Sequence, residues 1–403
     1  GGRGGRGLVA PAASHNGSHV SQLRIVQVDW SAAAAGESLE QRLVRCDTLA
    51  GWAHGVSAAG AHIDTVLASS CRAETTTGGG RFIAVPWHEL PRRVQALSPH
   101  VVHVNGLVFP LRTRWLRALL GPEPALLVQD HGNTVTPRPR GCRQRMRARR
   151  DRWAFGALDA VLFTSLEQAD AWRSSGALPK GLPVHATVPA STNLRPVDRA
   201  TARTLSGVSG TPALLWVGRL TPNKDPLTVV GAFDALLTDH PRARLTMVFH
   251  TDEQRALVDA RVARSPRLRA AVDLRGAVAH ERLAAFYSAA DLFVVGSHQE
   301  GSGYALLESL ACGAWPVVTR IPSFAAITGA WQVGHAWTAG DEAACREALL
   351  RSVPGISDRR RTDVREYFAR ALSWQAVGTR AVETYRTVLQ GRSRSQPRGA
   401  ARA

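Results

Sequence analysis

The chain has 403 residues, more than one ordinary hydrophobic core holds and about right for two domains of typical size. Hydrophobic residues make up 44% and charged residues 20%, an ordinary globular balance, and no apolar run approaches the length of about eighteen residues that a membrane-spanning helix needs. A formal charge of +18 favours anionic partners, whether nucleoside diphosphates, lipid headgroups or nucleic acid.

In chain order, residues 1–22 are rich in Gly, Ser and Ala, carry no hydrophobic stretch of the kind a secretory leader needs, and predict a flexible tail. Short β-rich runs then alternate with helical segments at 23–30, 62–68, 81–87, 101–107, 125–130, 160–164 and 184–189. That alternation predicts a parallel, doubly wound sheet. After a linker at 191–199 it restarts at 213–217, 244–250, 272–276, 292–296 and 315–319, which predicts a second sheet of the same kind. Asp225 supplies a helix cap and Pro226 a first-turn residue, with Leu227, Val230, Phe233 and Leu237 on one face of the helix that follows. Helical periodicity returns at 374–389. The expected organisation is a tail (1–22), a first Rossmann-like domain (23–195), a second (196–372), a closing helix (373–390) and a basic disordered tail (391–403).

Two features bound the environment and partners. The five cysteines, at 46, 71, 142, 312 and 345, show neither metal-ligand spacing nor an even count, so the expected compartment is a reducing cytosol. Eight of the fifteen residues from Arg138 to Arg152 are arginine, without the interleaved aromatics that stack bases, which argues against sequence-specific nucleic-acid binding. A solvated basic face and a patch docking on an anionic membrane or acidic acceptor both stay open for that run.

The chemistry concentrates in Glu300-Gly-Ser-Gly-Tyr-Ala-Leu-Leu-Glu308, which follows the apolar run 292–297. A strand entering a Gly-rich turn and then a helix aims free backbone N–H groups and a positive dipole end at an anion. Glu300 before the turn and Glu308 within the helix would accept hydrogen bonds from hydroxyl groups on opposite sides of that anion. Upstream, Leu214-Leu-Trp-Val-Gly218-Arg219-Leu-Thr-Pro-Asn-Lys224 ends a strand with two cations. Gln129-Asp-His131-Gly-Asn133 closes a strand of the first half and puts His131 at a carboxyl end, with Asn105 and His103 as weaker candidates on the same rim.

These motifs resemble the retaining glycosyltransferases of the GT-B fold, family 4 type, known as glycosyltransferases group 1, over most of residues 210–330. The resemblance implies a GT-B α/β fold, two Rossmann-like doubly wound domains facing across a cleft, with the closing helix returning to the first. It implies transfer of a hexosyl group from a nucleoside diphosphate sugar to a hydroxyl acceptor with retained configuration and with neither metal nor cofactor. His131, Glu300, Arg219 and Lys224 would be catalytic; Gly218, Gly301, Ser302, Gly303, Tyr304 and Glu308 would hold the donor; Asn105 is an acceptor-side candidate. Acceptors in the resembled family include lipids, polysaccharides and small metabolites, so a cytoplasmic protein, peripheral at the inner membrane face or free, is expected. The chain departs from the pattern in the loop 31–37, which has one glycine where many members have a pair, and after Phe249, where His250 and Thr251 replace a Gly-x-Gly-Pro turn and are expected to line the nucleotide pocket. A GT-B nucleotide-sugar epimerase and a non-catalytic polyanion- or membrane-binding protein are the alternative readings. An NAD enzyme is disfavoured because no G-x-G-x-x-G follows Trp30.

Overall fold

The computed structural model describes residues 22–34, 36–132 and 141–395. The tail at 1–22 apart from Gln22, Ala35 of the loop 31–37, Asn133, the first three residues of the basic run and the tail beyond 395 lie outside the described residues.

The first half builds one eight-stranded sheet from β1 (Arg24–Asp29), β2 (His62–Ala68), β3 (Ala73–Thr77), β4 (Gly80–Val85), β5 (Val101–Asn105), β6 (Ala125–Gln129), β7 (Ala160–Phe163) and β8 (Val184–Ala186). Their order is β3-β4-β2-β1-β5-β6-β7-β8. All neighbours run parallel except β3, which pairs antiparallel with β4 at the edge. The second half builds a six-stranded sheet from β9 (Ala213–Gly218), β10 (Arg244–Phe249), β11 (Val272–Gly276), β12 (Leu292–Val295), β13 (Trp315–Thr319) and β14 (His335–Trp337), ordered β11-β10-β9-β12-β13-β14 and parallel throughout.

Both faces of each sheet are buried, which is why the strands read as near-continuous apolar runs. Alternate side chains go to opposite layers: Ile25 and Leu127 pack with one core, Val26, Val28, Leu126 and Val128 with another. In the second half Leu214 and Trp216 face one layer, Leu215 and Phe293 the other. The helix Pro226–Leu236 starts at Asp225, whose side chain accepts from the Thr228 N–H.

In the second sheet the chain steps outward from β9 through β10 to β11 and then returns to the far side of β9 as β12. This reversal opens a crevice between the carboxyl ends of β9 and β12, where open α/β sheets bind ligands.

The chain crosses back to the first half through the helix Trp374–Ser395, whose Trp374, Val377, Ala381, Val382 and Tyr385 join the core beneath the first sheet. It runs five residues past the expected end at 390, and Arg392 anchors the last turn to Asp159 at 2.6 Å. His103 is part of this packing. It is fully buried rather than at the strand rim, with the Tyr385 hydroxyl 2.6 Å from its Nδ1 and Trp52 Nε1 donating to that hydroxyl at 3.2 Å. Burial pushes its imidazole down to about 3, so it is neutral in the fold. The Tyr385→Phe variant should lose about 1–3 kcal/mol of stability by orphaning buried polar groups, read as a lower urea midpoint with an unchanged slope.

Candidate active site

The crevice between β9 and β12 holds an open cavity of about 620 Å³. Its walls include Gly218, Arg219, Asn223 and Lys224 beyond β9, His250 beyond β10, His280 beyond β11, and Glu300, Tyr304 and Glu308 beyond β12. Arg219 is exposed on this wall. Lys224 is three-quarters or more buried and its Nζ is paired with Glu300 Oε1, which also accepts from Ser297 Oγ at 2.7 Å. The turn Pro222–Lys224 is stitched to the Glu300 loop through Asn223, which donates to the Gln299 carbonyl at 3.0 Å and accepts from the Gln299 N–H at 3.1 Å.

Gly303 adopts a left-handed φ of 60° and starts the helix Tyr304–Cys312 without a side-chain cap. The first N–H groups of that helix are therefore left for an anion, and a left-handed start is open to glycine at little cost. About one turn in, Glu308 is buried with one partner on each oxygen: His280 Nε2 lies 2.7 Å from Oε1 and the Tyr287 hydroxyl donates to Oε2 at 2.9 Å. The hydrogen bond to Glu308 raises the His280 imidazole above its ordinary value, with burial opposing.

The Glu300 turn also touches the first half. An added Cβ on Gly301 would stand 1.9 Å from the His131 carbonyl oxygen, and one on Gly132 would stand 2.1 Å from the Gly301 Cα. Thr164 Oγ1, just past β7, donates to the Gly301 carbonyl at 2.7 Å, and Gln168 Nε2 donates to the Glu300 carbonyl at 3.0 Å. The carboxyl ends of the two sheets thus meet at this turn. A second cavity of about 180 Å³, lined by Asp130, Trp172, His298, Glu300 and Ser323, lies along the same seam. Burial raises the Asp130 carboxyl to about 6, opposed by the Gly132 N–H.

Of the sequence-derived residues, Gly218, Arg219, Lys224, Glu300, Tyr304 and Glu308 share the walls of the large cavity. Gly301, Ser302 and Gly303 form the turn above it, and His131 meets that turn through its backbone, its imidazole held below the ordinary value by burial. Asn105 stays at the end of β5, its Oδ1 accepting from Gln27 Nε2 at 3.3 Å, away from the cavity. His250 lines the cavity and Thr251 does not, so only half of the expected replacement for the Gly-x-Gly-Pro turn is in place. Sequence reasoning missed Asn223, His280, Tyr287, Ser297, Thr164 and Gln168. Only Asn223, inside the Thr-Pro-Asn-Lys stretch, carried a local signal.

The family model for glycosyl transferases group 1 matches residues 200–361, the segment that carries every wall of the large cavity. Over this region, less than half of the chain, the sequence is similar to the glycosyl transferases group 1 family. Among curated relatives, the glycogen synthase of Mycobacterium tuberculosis (strain ATCC 25618 / H37Rv) is 31% identical over 193 residues, covering 47% of this chain and 46% of its own. The D-inositol 3-phosphate glycosyltransferase of Acidothermus cellulolyticus is 38% identical over 138 residues, 32% of this chain and 30% of its own. The chain spans about half the length, or less, of the curated relatives it matches. Solved structures extend the likeness to both halves. Sucrose-phosphate synthase from Thermosynechococcus elongatus superposes with a TM-score of 0.64 at 20% identity, covering 92% of this chain and 100% of that one. Anabaena HepE in complex with UDP superposes with a TM-score of 0.66 at 14% identity, covering 91% and 100%. At those identities the likeness establishes the fold, which is GT-B: two Rossmann-like α/β halves facing across a cleft.

Two outcomes follow from the geometry. Gly301→Ala should push the halves apart, because the His131 carbonyl leaves no room for a Cβ; solution scattering should show an enlarged radius of gyration, and an unchanged one would mean the contact yields. The folded-state pKa of His280 is raised, so the His280–Glu308 contact should contribute its stability below the unfolded value near 6.5 and lose it as pH rises through the raised value. Urea midpoints across that range should fall less steeply in His280→Gln than in the parent.

Proposed function

We propose that this protein is a retaining glycosyltransferase that moves a hexosyl group from a nucleoside diphosphate sugar to a hydroxyl acceptor, with neither metal nor cofactor. The observation that carries the reading is the convergence on one cavity of Arg219, Lys224 and an uncapped helix start, flanked by Glu300 on one side and Glu308 on the other. Two cations and free N–H groups suit a diphosphate, and carboxylates on either side of it suit the hydroxyls of a sugar and a ribose. Complexes of structural neighbours, HepE with UDP and the catalytic domain of Arabidopsis thaliana starch synthase IV with ADP and acarbose, support a nucleoside diphosphate donor.

In this reading Glu308 accepts from the ribose, Glu300 accepts from the transferred sugar, and Arg219 and Lys224 hold the diphosphate. The bond from the sugar's anomeric carbon to the phosphate oxygen breaks. The acceptor oxygen bonds to that carbon from the same face, and the acceptor's proton passes to the departing phosphate. Negative charge grows on that phosphate as the bond opens, so fixed cations and N–H dipoles there lower the barrier itself. His131 stands across the seam, kept neutral by burial and so able to donate one hydrogen bond to the sugar or phosphate without adding a charge. Asn105 is the acceptor-side residue of this reading.

Among the described residues no helix is long and apolar enough to cross a membrane. From Cys142 onward the basic run forms the helix Cys142–Phe155, which exposes most of its arginines together with Met146 and Trp153. Exposed cations interleaved with large apolar groups support a cytoplasmic protein that meets its acceptor at an anionic membrane surface.

The test is a thermal-shift panel with UDP, GDP, ADP and their sugar conjugates, with and without chelator, followed by turnover assays. One nucleoside diphosphate should raise the midpoint without metal, and Glu308→Ala should abolish the effect. Arg219→Ala, Lys224→Ala and Glu300→Ala should each lower turnover by about 100-fold or more, and NMR of the product should show the donor's anomeric configuration. Near-normal turnover in all three variants, or inverted product, would sink the reading.

A further inference from the structure

A third cavity, of about 560 Å³, lies away from the β9–β12 crevice and is lined by Arg199, Arg203, Arg361 and Arg365 with Asp198 and Asp358. One buried carboxylate, Asp291, pairs with two of these arginines, Arg199 and Arg203. Its Oδ1 pairs with Arg199 Nη2 and its Oδ2 lies 3.5 Å from Arg203 Nη2 while also accepting from the Ala213 N–H at 2.9 Å. Arg361 is buried and has no carboxylate of its own: Nη1 donates to the Ala290 carbonyl at 2.6 Å and Nη2 to that of Ser288. Arg365 donates to Thr362 Oγ1 at 3.1 Å. The Nε of Arg199 is buried without a partner. The remaining carboxylates sit on the exposed rim, and Asp198 is occupied in capping the helix Arg199–Ser206 through the Thr201 N–H at 3.0 Å.

Four guanidinium groups lining one cavity, with a single buried carboxylate pairing two of them, leave a cationic excess in a partly desolvated space. Buried charge is costly unless it is neutralised, and an anion bound in the cavity would do that. Burial and the charge of Arg199 push the Arg361 guanidinium down to about 10, the response of a cation short of negative partners. Planar, fixed forks of N–H donors match phosphate oxygens two at a time.

The position gives the cavity a second meaning. Pro196 and Asp198 lie on the segment that carries the chain from β8 of the first sheet towards β9 of the second. Arg361 and Arg365 lie on the helix Asp358–Ala371, which leads into the return crossing before Trp374. Both connections between the halves therefore run past this pocket.

The geometry points to an anion site at the hinge, one that takes the phosphate group of a small phosphate monoester and is separate from the cavity beyond β9 and β12. Its occupant bridges the two connecting segments.

The experiment titrates a hexose monophosphate into the full chain carrying Arg219→Ala, which weakens phosphate binding at the other cavity, and reads midpoint shifts and isothermal titration heats. Saturable binding is expected. Adding Arg365→Gln, which removes one charge-assisted contact without touching Asp291, should weaken it about tenfold, the equivalent of roughly 1.4 kcal/mol. Arg365→Lys should restore part of the loss. Absence of binding in the Arg219→Ala chain, or binding indifferent to Arg365→Gln, overturns the proposal. Neither result bears on the transferase reading, whose tests use nucleotides and turnover.

Discussion

Every part of the candidate active site depends on how the Glu300–Gly301 backbone seats against the first half. That one turn carries the Glu300 carboxylate, leads into the uncapped helix at Tyr304 and makes the polar contacts with Thr164 and Gln168. Glycine faces glycine there, so backbone meets backbone and no side chain cushions the approach. The two polar contacts are neutral hydrogen bonds, each contributing about 0.5–1.5 kcal/mol. At the opposite end, Trp374, Val377, Val382 and Tyr385 are almost wholly buried against the first sheet, and burial at about 1.5–3 kcal/mol for each large apolar side chain sums to the order of 10 kcal/mol. The halves are thus held firmly at the crossing helix and lightly at the turn. A molecule built this way opens at the turn and stays joined at the crossing.

The switch point in the second sheet explains why cations and carboxylates meet although eighty residues separate them. Arg219 and Lys224 follow β9, Glu300 and Glu308 follow β12, and β9 and β12 are neighbours only because the chain reverses its winding between β11 and β12. Asn223 then ties the two loops directly, bonding Gln299 through both ends of its amide. Under the transferase reading this fixes the distance between the diphosphate's cations and the sugar's carboxylate by backbone rather than by flexible side chains.

Much of this was legible in the sequence, for a physical reason. Strands buried on both faces show as apolar runs, and Gly-rich turns before helices show as glycines, so the two sheets and the Glu300–Glu308 segment could be read directly. The missed strands fail that test. β3 is Ala-Glu-Thr-Thr-Thr at a mostly exposed edge, and β14 has three residues. The partners of Glu308 were also hidden, because His280 and Tyr287 sit 28 and 21 residues upstream and only the fold brings them together. His103 misled in the other direction. It lies two positions before the strand's end, deep enough to be covered by Tyr385 of the crossing helix and not to reach the rim.

The Lys224–Glu300 pair bears on how such a site waits for its ligand. Both side chains are largely withdrawn from water, and a lone charge in that position would be costly. Paired, they satisfy each other, with Ser297 filling part of the carboxylate's remaining capacity. Under the transferase reading a nucleoside diphosphate sugar brings what each needs separately, phosphate oxygens for the ammonium and hydroxyl donors for the carboxylate. Binding then becomes an exchange of partners in which neither charge is left bare at the end, and the price is limited to breaking one ion pair. The same exchange ties recognition of the two ends of the donor together, since releasing Lys224 to a phosphate frees Glu300 for the sugar. A site of this kind favours the whole donor over either of its parts.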